Sequence, residues 1–187
     1  MRAETKDIIN QAADIVYPFV RDKMQEIVPF LPNVEKIETV KHERVSDTRV
    51  EVVNHWFAKA DVPASAKPFV KPEFFQWKDY ATWKDDEFCV DYHIESFIGN
   101  KFFDLSGTNF FNPLGNDKTE LKITFNLEIY PERVPGVPKF LAKRAKGPLE
   151  EMIKKMLTPN LTSLVKGLNE YYAKEQPGKK KPTGKKK

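Results

Sequence analysis

A chain of 187 residues is the size of one domain and long enough to bury a sizeable core. Forty per cent of it is hydrophobic, with fourteen Phe and three Trp, which excludes a disordered or collagen-like chain. The net charge of +4 belongs to the end: six of the last nine residues are lysine, and removing them from +4 leaves −2 on the first 178 residues. A mildly acidic body argues against a specific nucleic-acid surface, which carries its basic footprint on the fold itself. No apolar run approaches the ~18 residues of a membrane span, and the opening MRAETKDIINQAAD lacks the greasy stretch of a signal peptide. The single cysteine, Cys89, excludes an internal disulfide framework. The expectation is a soluble, cytoplasmic protein.

Residues 2 to 10 read as a first short strand. Helical spacing follows from Ala12 to Val28, with Ile15, Val16, Phe19, Val20, Met24 and Ile27 on one stripe, closed by the turn Phe30-Leu31-Pro32-Asn33. Val34 to Val45 and Arg49 to Ala60 are strands joined by the polar turn Ser46-Asp47-Thr48. The stretch from Asp61 to Phe75 combines Pro63, Pro68 and Pro72 with Phe69, Val70, Phe74 and Phe75, so it is a loop with unusual apolar content.

Four strands come next: Gln76 to Lys84, Phe88 to Ser96, Phe102 to Phe111 and Thr119 to Tyr130, with a turn from Asn112 to Asp117 before the last. That last strand alternates cleanly. Leu121, Ile123, Phe125, Leu127 and Ile129 share one face, and Lys122, Thr124, Asn126 and Glu128 the other, which is the pattern of an antiparallel strand wet on one side. A proline-rich connection from Pro131 to Pro138 leads to a short basic helix, Lys139 to Lys146, stopping at Gly147. Pro148, with Glu150 and Glu151 behind it, opens a C-terminal helix. Its stripe of Leu149, Met152, Ile153, Met156 and Leu157 resumes after Thr158-Pro159 and runs to about Ala173. Residues 176–187 are a low-complexity lysine tail, expected to be disordered.

Strand, helix, about six more strands and a long amphipathic helix predict an α+β fold of about seven strands. In it an antiparallel meander has one apolar face covered by the last helix. The segment Ala12-Ala13-Asp14-Ile15-Val16-Tyr17, followed by Phe30-Leu31-Pro32-Asn33-Val34, resembles the opening of the START-like helix-grip superfamily, the group of polyketide cyclases and coenzyme-Q-binding proteins. The order from residue 2 to about 174 follows the same plan. Within that group, the apolar insert at 61–75 and the interrupted last helix resemble the PRELI-type phospholipid carriers. The resemblance implies an internal apolar pocket closed by a loop and the last helix, and it assigns no ligand or reaction.

Strand parity then names a lining. Val52, Asn54 and Trp56 share a face, as do Phe103, Leu105 and Asn109; Tyr92, Ile94, Ile123, Phe125, Leu127, Met152 and Met156 join them. This is a mostly apolar wall with two Asn amides as polar anchors, as small-molecule pockets use. A solid core made of the same residues is the plain alternative, against which the two amides weigh because a dry core leaves them unsatisfied. Lys139, Lys143, Arg144 and Lys146 around Phe140 and Leu141 suit an anionic membrane surface, with Phe69, Val70, Phe74 and Phe75 as a gate beside them; a solvated basic turn and a loop packed onto its own domain are the plain alternative.

Catalytic motifs are not evident. His42, His55 and His93 form no zinc pattern, and Asp91, His93 and Glu95 take the parity opposite Val90, Tyr92 and Ile94, hence the wet face. Cys89 has no local activating cation and reads as structural. No phosphate loop, dinucleotide fingerprint or nucleophile elbow occurs, and neither a cofactor nor a metal is expected. The leading expectation is a non-catalytic carrier of a lipid or other apolar small molecule, with peripheral contact to anionic membrane. A cyclase- or hydratase-type enzyme using the same cavity and an adaptor with a filled core are the rivals. Nothing in the residues speaks to oligomeric state.

Overall fold

Two tight hairpins show how local chemistry sets this architecture. Asp47 and Thr48 join β2 (Val34–Ser46) to β3 (Arg49–Ala58), and Asn116 and Asp117 join β6 (Phe103–Gly115) to β7 (Lys118–Ile129). Asn116 and Asp117 both have positive φ, 51° and 53°, as the two central residues of a strongly twisted two-residue hairpin turn require. The computed structural model describes residues 1–59, 75–96, 103–133, 140, 144, 146, 147 and 163–175.

With β1 (Arg2–Ile9), β4 (Gln76–Lys84) and β5 (Cys89–Ser96), these strands make one antiparallel sheet in the order β1-β7-β6-β5-β4-β3-β2. Sequence neighbours β1 and β2 thus lie at opposite edges. The chain crosses between them through helix α1 (Ala13–Asp22) and a 3-10 segment, Met24–Phe30. A last described helix, α2, covers residues 163–175.

The helices bury one face of the sheet. Val16, Tyr17 and Val20 of α1 pack with Val50, Trp83, Val90, Phe111, Leu121 and Ile123, and Val165 and Leu168 of α2 join the same cluster. Tyr17 meets Trp83, Phe88 and Phe111 edge-on at 5.2–5.4 Å, the arrangement aromatic quadrupoles favour. Gly167 brings α2 against the segment after α1: an added Cβ would stand 3.2 Å from both the Phe30 carbonyl oxygen and the Leu31 side chain. Asn169 ties α2 to β1 and the residue after it, accepting from the Asn10 N–H at 2.8 Å and donating to the Ile8 carbonyl at 2.9 Å.

The strand pattern and the seven-strand α+β meander agree with the sequence reading, and three boundaries differ. The predicted helix from Ala12 to Val28 ends at Asp22 and continues as 3-10; Pro18 and Pro29 each remove a backbone donor from this stretch. Its buried stripe holds Tyr17 and leaves Ile15 exposed, the reverse of the expected register at those two positions. β6 runs on to Gly115 rather than stopping at Phe111, because Pro113 sits at a bulge near the end of the sheet, where a missing N–H is tolerated. In the basic segment, Arg144, Lys146 and Gly147 are each helical, so Gly147, the expected stop, is itself in helical conformation.

Candidate functional site on the inner face of the sheet

Register places the inner-face residues in rows across the strands. One row holds Val50, Trp83, Val90, Asn109 and Ile123; the next holds Val52, Ala81, Tyr92, Gly107 and Phe125. A third joins Thr39, Asn54, Asp79, Ile94, Leu105 and Leu127, and a fourth begins with Trp56 and Trp77. Of the predicted lining, Val52, Asn54, Trp56, Tyr92, Ile94, Phe103, Leu105, Asn109, Ile123, Phe125 and Leu127 all take this face. Met152 and Met156 lie outside the described residues.

The first rows are filled. Val50, Val52, Trp83, Val90 and Ile123 are buried beneath α1 and α2. A second cluster, Leu105, Phe125, Leu127 and Ile129, lies toward the other end, with Ile94, Phe103 and Met1 against it. Tyr92 touches both clusters. Around their junction, Trp56, Trp77, Asp79, Tyr92, Ile94, Phe103 and Asn109 are only half-buried, although protein surrounds the Asp79 carboxyl closely enough to desolvate it.

Asp79 is the residue that sequence reading passed over. Its signal was present in the alternation of β4: Trp77, Ala81 and Trp83 are inner-face residues, and Asp79 sits between the first two, facing Asn54 on β3 and Ile94 on β5. Burial drives its pKa from 3.8 to about 7, with the nearby Trp56 indole acting in the opposite direction. That indole does not complete the contact: Trp56 Nε1 and Asp79 Oδ1 are both buried without a hydrogen-bond partner, and so is Asn109 Oδ1. Trp56 stacks on Trp77 at 5.8 Å and 12° from parallel. Tyr92 donates to the Thr124 carbonyl at 3.2 Å, and burial together with the Asp79 charge raises its pKa.

The two Asn anchors divide. Asn54 Oδ1 accepts from Thr39 Oγ1 at 2.8 Å, and Thr39 in turn accepts from Gln25, so this amide ties β2, β3 and the 3-10 segment together. Asn109, two rows away from Asp79, is the amide with an orphaned oxygen. The remaining candidates behave as solvent-facing or structural groups. Asp91 pairs with Lys84 at 2.7 Å and Thr108 at 2.6 Å, and His93 is exposed, stacked on Tyr80. Cys89 is buried, with its thiol pKa raised by burial and Glu87. No cluster of metal-ligating side chains occurs among the described residues. No described helix is long and apolar enough to cross a membrane.

Neither a protein-family model nor a curated protein sequence matches the chain. Solved structures do. The Zhui aromatase/cyclase from Streptomyces sp. R1128 superposes with a TM-score of 0.63 at 14% identity, covering 96% of both chains. Norcoclaurine synthase from Thalictrum flavum gives 0.58 at 12% identity, over 92% of this chain and 86% of its own. A START superfamily protein from Mycobacterium smegmatis gives 0.56 at 14% identity, over 93% and 98%. The fold is the START-like helix grip. The seven-strand sheet is the grip, α2 packs on its inner face through Val165 and Leu168, and the Asp79 row lies on that same face.

Of the gate and membrane residues, Phe69, Val70, Phe74, Lys139 and Lys143 lie outside the described residues. Phe75 begins the approach to β4 and is half-buried, whereas Phe140 is 82% exposed with Arg144 and Lys146 exposed near it in sequence. The lysine tail is also outside the described residues.

Proposed function

We propose that this helix-grip chain binds one small, largely apolar molecule on the inner face of its sheet, holding a polar group of that molecule at Asp79. The observation that carries this reading is that three of the five buried, unpartnered side-chain polar atoms among the described residues, Trp56 Nε1, Asp79 Oδ1 and Asn109 Oδ1, stand on half-buried residues of the inner face, the other two being Trp83 Nε1 and Tyr172 Oη. A buried polar group without a partner costs about 1–3 kcal/mol, and a site that recognises a ligand returns that cost on binding. Asp79 and Asn109 stand two rows apart, about 13 Å along the strands, so an elongated molecule can meet both. Carriage of a lipid follows the same geometry. Support for membrane contact comes from exposed Phe140 beside exposed basic residues.

A second reading has an observation of its own. A carboxyl with a pKa near 7 in an apolar setting is poised for proton transfer, so the same site suits acid–base catalysis of the cyclase kind. The neighbours with this fold include a cyclase and norcoclaurine synthase, which lends that reading further support.

Titration with the neutral probe N-phenyl-1-naphthylamine tests the binding claim. The expected result is saturable one-to-one binding with energy transfer from tryptophan, and native mass spectrometry should show a co-purified molecule displaced by the probe. Binding that never saturates means a filled core and ends the proposal. Conversion of the co-purified molecule by wild type but not by Asp79→Asn selects the enzyme reading over simple carriage.

A further inference from the structure

On the reading that the inner face is a ligand site, we infer that the polar group it recognises is a protonated amine. The amine is carried by an apolar molecule and held between the Asp79 carboxylate and the rings of Trp56, Trp77 and Tyr92.

Asp79 sits among apolar and neutral side chains. On its own strand the inner-face neighbours are Trp77 and Ala81; β3 contributes Val52, Asn54 and Trp56, and β5 contributes Tyr92 and Ile94. Leu105 continues the row on β6, and Thr39 on β2, itself bonded to Gln25 of the 3-10 segment, closes the other side. None of these is a cation. The one titratable group among them is Tyr92, whose hydroxyl is engaged by Thr124 and whose own ionisation is opposed by burial and by Asp79. Arg21, Arg44 and Arg49 are committed elsewhere, to Asp22, Asp85, Asp86 and Glu87 around the β4–β5 turn.

Among the described residues an ionised carboxylate in this position is therefore uncompensated, and a proton or an incoming cation relieves it. The neighbours favour the cation. Trp is the strongest cation–π partner, and the stacked Trp56 and Trp77 rings, 5.8 Å apart, stand one row from Asp79 on the inner face, with Tyr92 one row to the other side. Trp56 Nε1, buried near the same carboxyl, and Asp79 Oδ1 both lack a hydrogen-bond partner, which leaves Oδ1 open to an N⁺–H donor. A neutral hydroxyl satisfies a hydrogen bond here but leaves the charge unbalanced. An ammonium does both.

The sign of the pH dependence separates the two. An ammonium ligand needs Asp79 ionised, so its affinity rises as pH climbs through about 7; a hydroxyl that binds the protonated acid loses affinity over the same range. The experiment uses the full chain and two fluorescent probes, dansylcadaverine with its terminal ammonium and N-pentyl dansylamide without it, titrated from pH 5.5 to 8.5. The expected result at pH 8.5 is roughly tenfold tighter saturable binding of the ammonium probe, with the gap closing toward pH 5.5. Asp79→Asn should abolish that preference while retaining the neutral probe, and its melting temperature should be no lower than that of wild type. Equal affinity for both probes, a preference that grows toward low pH, or a preference that survives in Asp79→Asn overturns the inference and leaves the ligand site standing. Failure of both probes to bind saturably overturns both. The wild-type pH series distinguishes ammonium from hydroxyl recognition even without the variant.

Discussion

The Tyr92 ring lies over Gly107, and a Cβ built at Gly107 would stand 2.8 Å from the Tyr92 hydroxyl oxygen and 1.9 Å from the Thr124 carbonyl oxygen. Tyr92 and Gly107 are direct neighbours across β5 and β6, and Phe125 lies opposite Gly107 on β7. The absence of a side chain at Gly107 is what lets one tyrosine span the strand, reach Thr124 and touch both apolar clusters.

Gly107→Ala should therefore destabilise the fold strongly. The 1.9 Å obstacle is backbone, not the end of a flexible side chain, so the sheet itself must shift. Overpacking of this kind costs about 1–3 kcal/mol or more, which in a domain of this size lowers the melting temperature by roughly 5–10 °C. Differential scanning calorimetry checks this, and an unchanged melting temperature would mean that Tyr92 can leave the position it holds.

Asp79 should make stability fall with rising pH. Its folded pKa, about 7, lies above the ordinary 3.8, so the folded state binds the proton more tightly than the unfolded chain. The contribution is complete below pH 3.8 and is lost as pH rises through 7, by on the order of 4 kcal/mol over the whole span. Asp79→Asn removes this term. Urea unfolding at pH 5 and pH 8 should show the variant gaining on wild type at the higher pH, and equal gaps at both would refute the burial of an isolated carboxyl.

The two asparagines should respond oppositely to Leu. Asn54→Leu leaves Thr39 Oγ1 without its acceptor and loosens the tie to Gln25, costing about 1–3 kcal/mol. Asn109→Leu removes an oxygen that has no partner, so the apo protein should be unchanged or slightly more stable, with ligand binding altered. Chemical denaturation of both variants, side by side with probe titration, gives the comparison; a stability loss at Asn109 as large as that at Asn54 contradicts it.

Arg21 should matter more than other charged residues. Its side chain is 12% exposed and joins α1 to the β4–β5 turn through Asp85 at 2.6 Å, while also pairing with Asp22 at 2.8 Å. Arg21→Ala should cost about 1–2 kcal/mol, allowing for the solvent that still reaches the pair. Lys41, which holds Glu43 and Glu51 in open solvent, should tolerate Ala with no measurable change in melting temperature. Thermal unfolding of the two variants in the same buffer decides, and equal losses would refute the distinction.

The strands and their faces are legible in the residues alone, because a side-chain period of two is a property of each strand by itself. The alternation from Leu121 to Ile129 names an inner face before any partner strand is known, and all five of those residues are buried. The same rule, applied to Trp77, Ala81 and Trp83, already puts Asp79 on the inner face. The register of α1 was less legible. A ten-residue helix with an internal proline offers few turns for its period to show, and packing against Trp83 and Phe111 chose Tyr17 over Ile15. Which buried polar groups are satisfied depends instead on how the strands pair. Asn54 and Asn109 read identically in sequence, yet Asn54 Oδ1 meets Thr39 across a strand pair and Asn109 Oδ1 has no partner. The environment of Asp79 is of the same kind: desolvation and the lack of a cation among its described neighbours are sums over β2 to β6 and the segments packed on them, and no single strand contains that information.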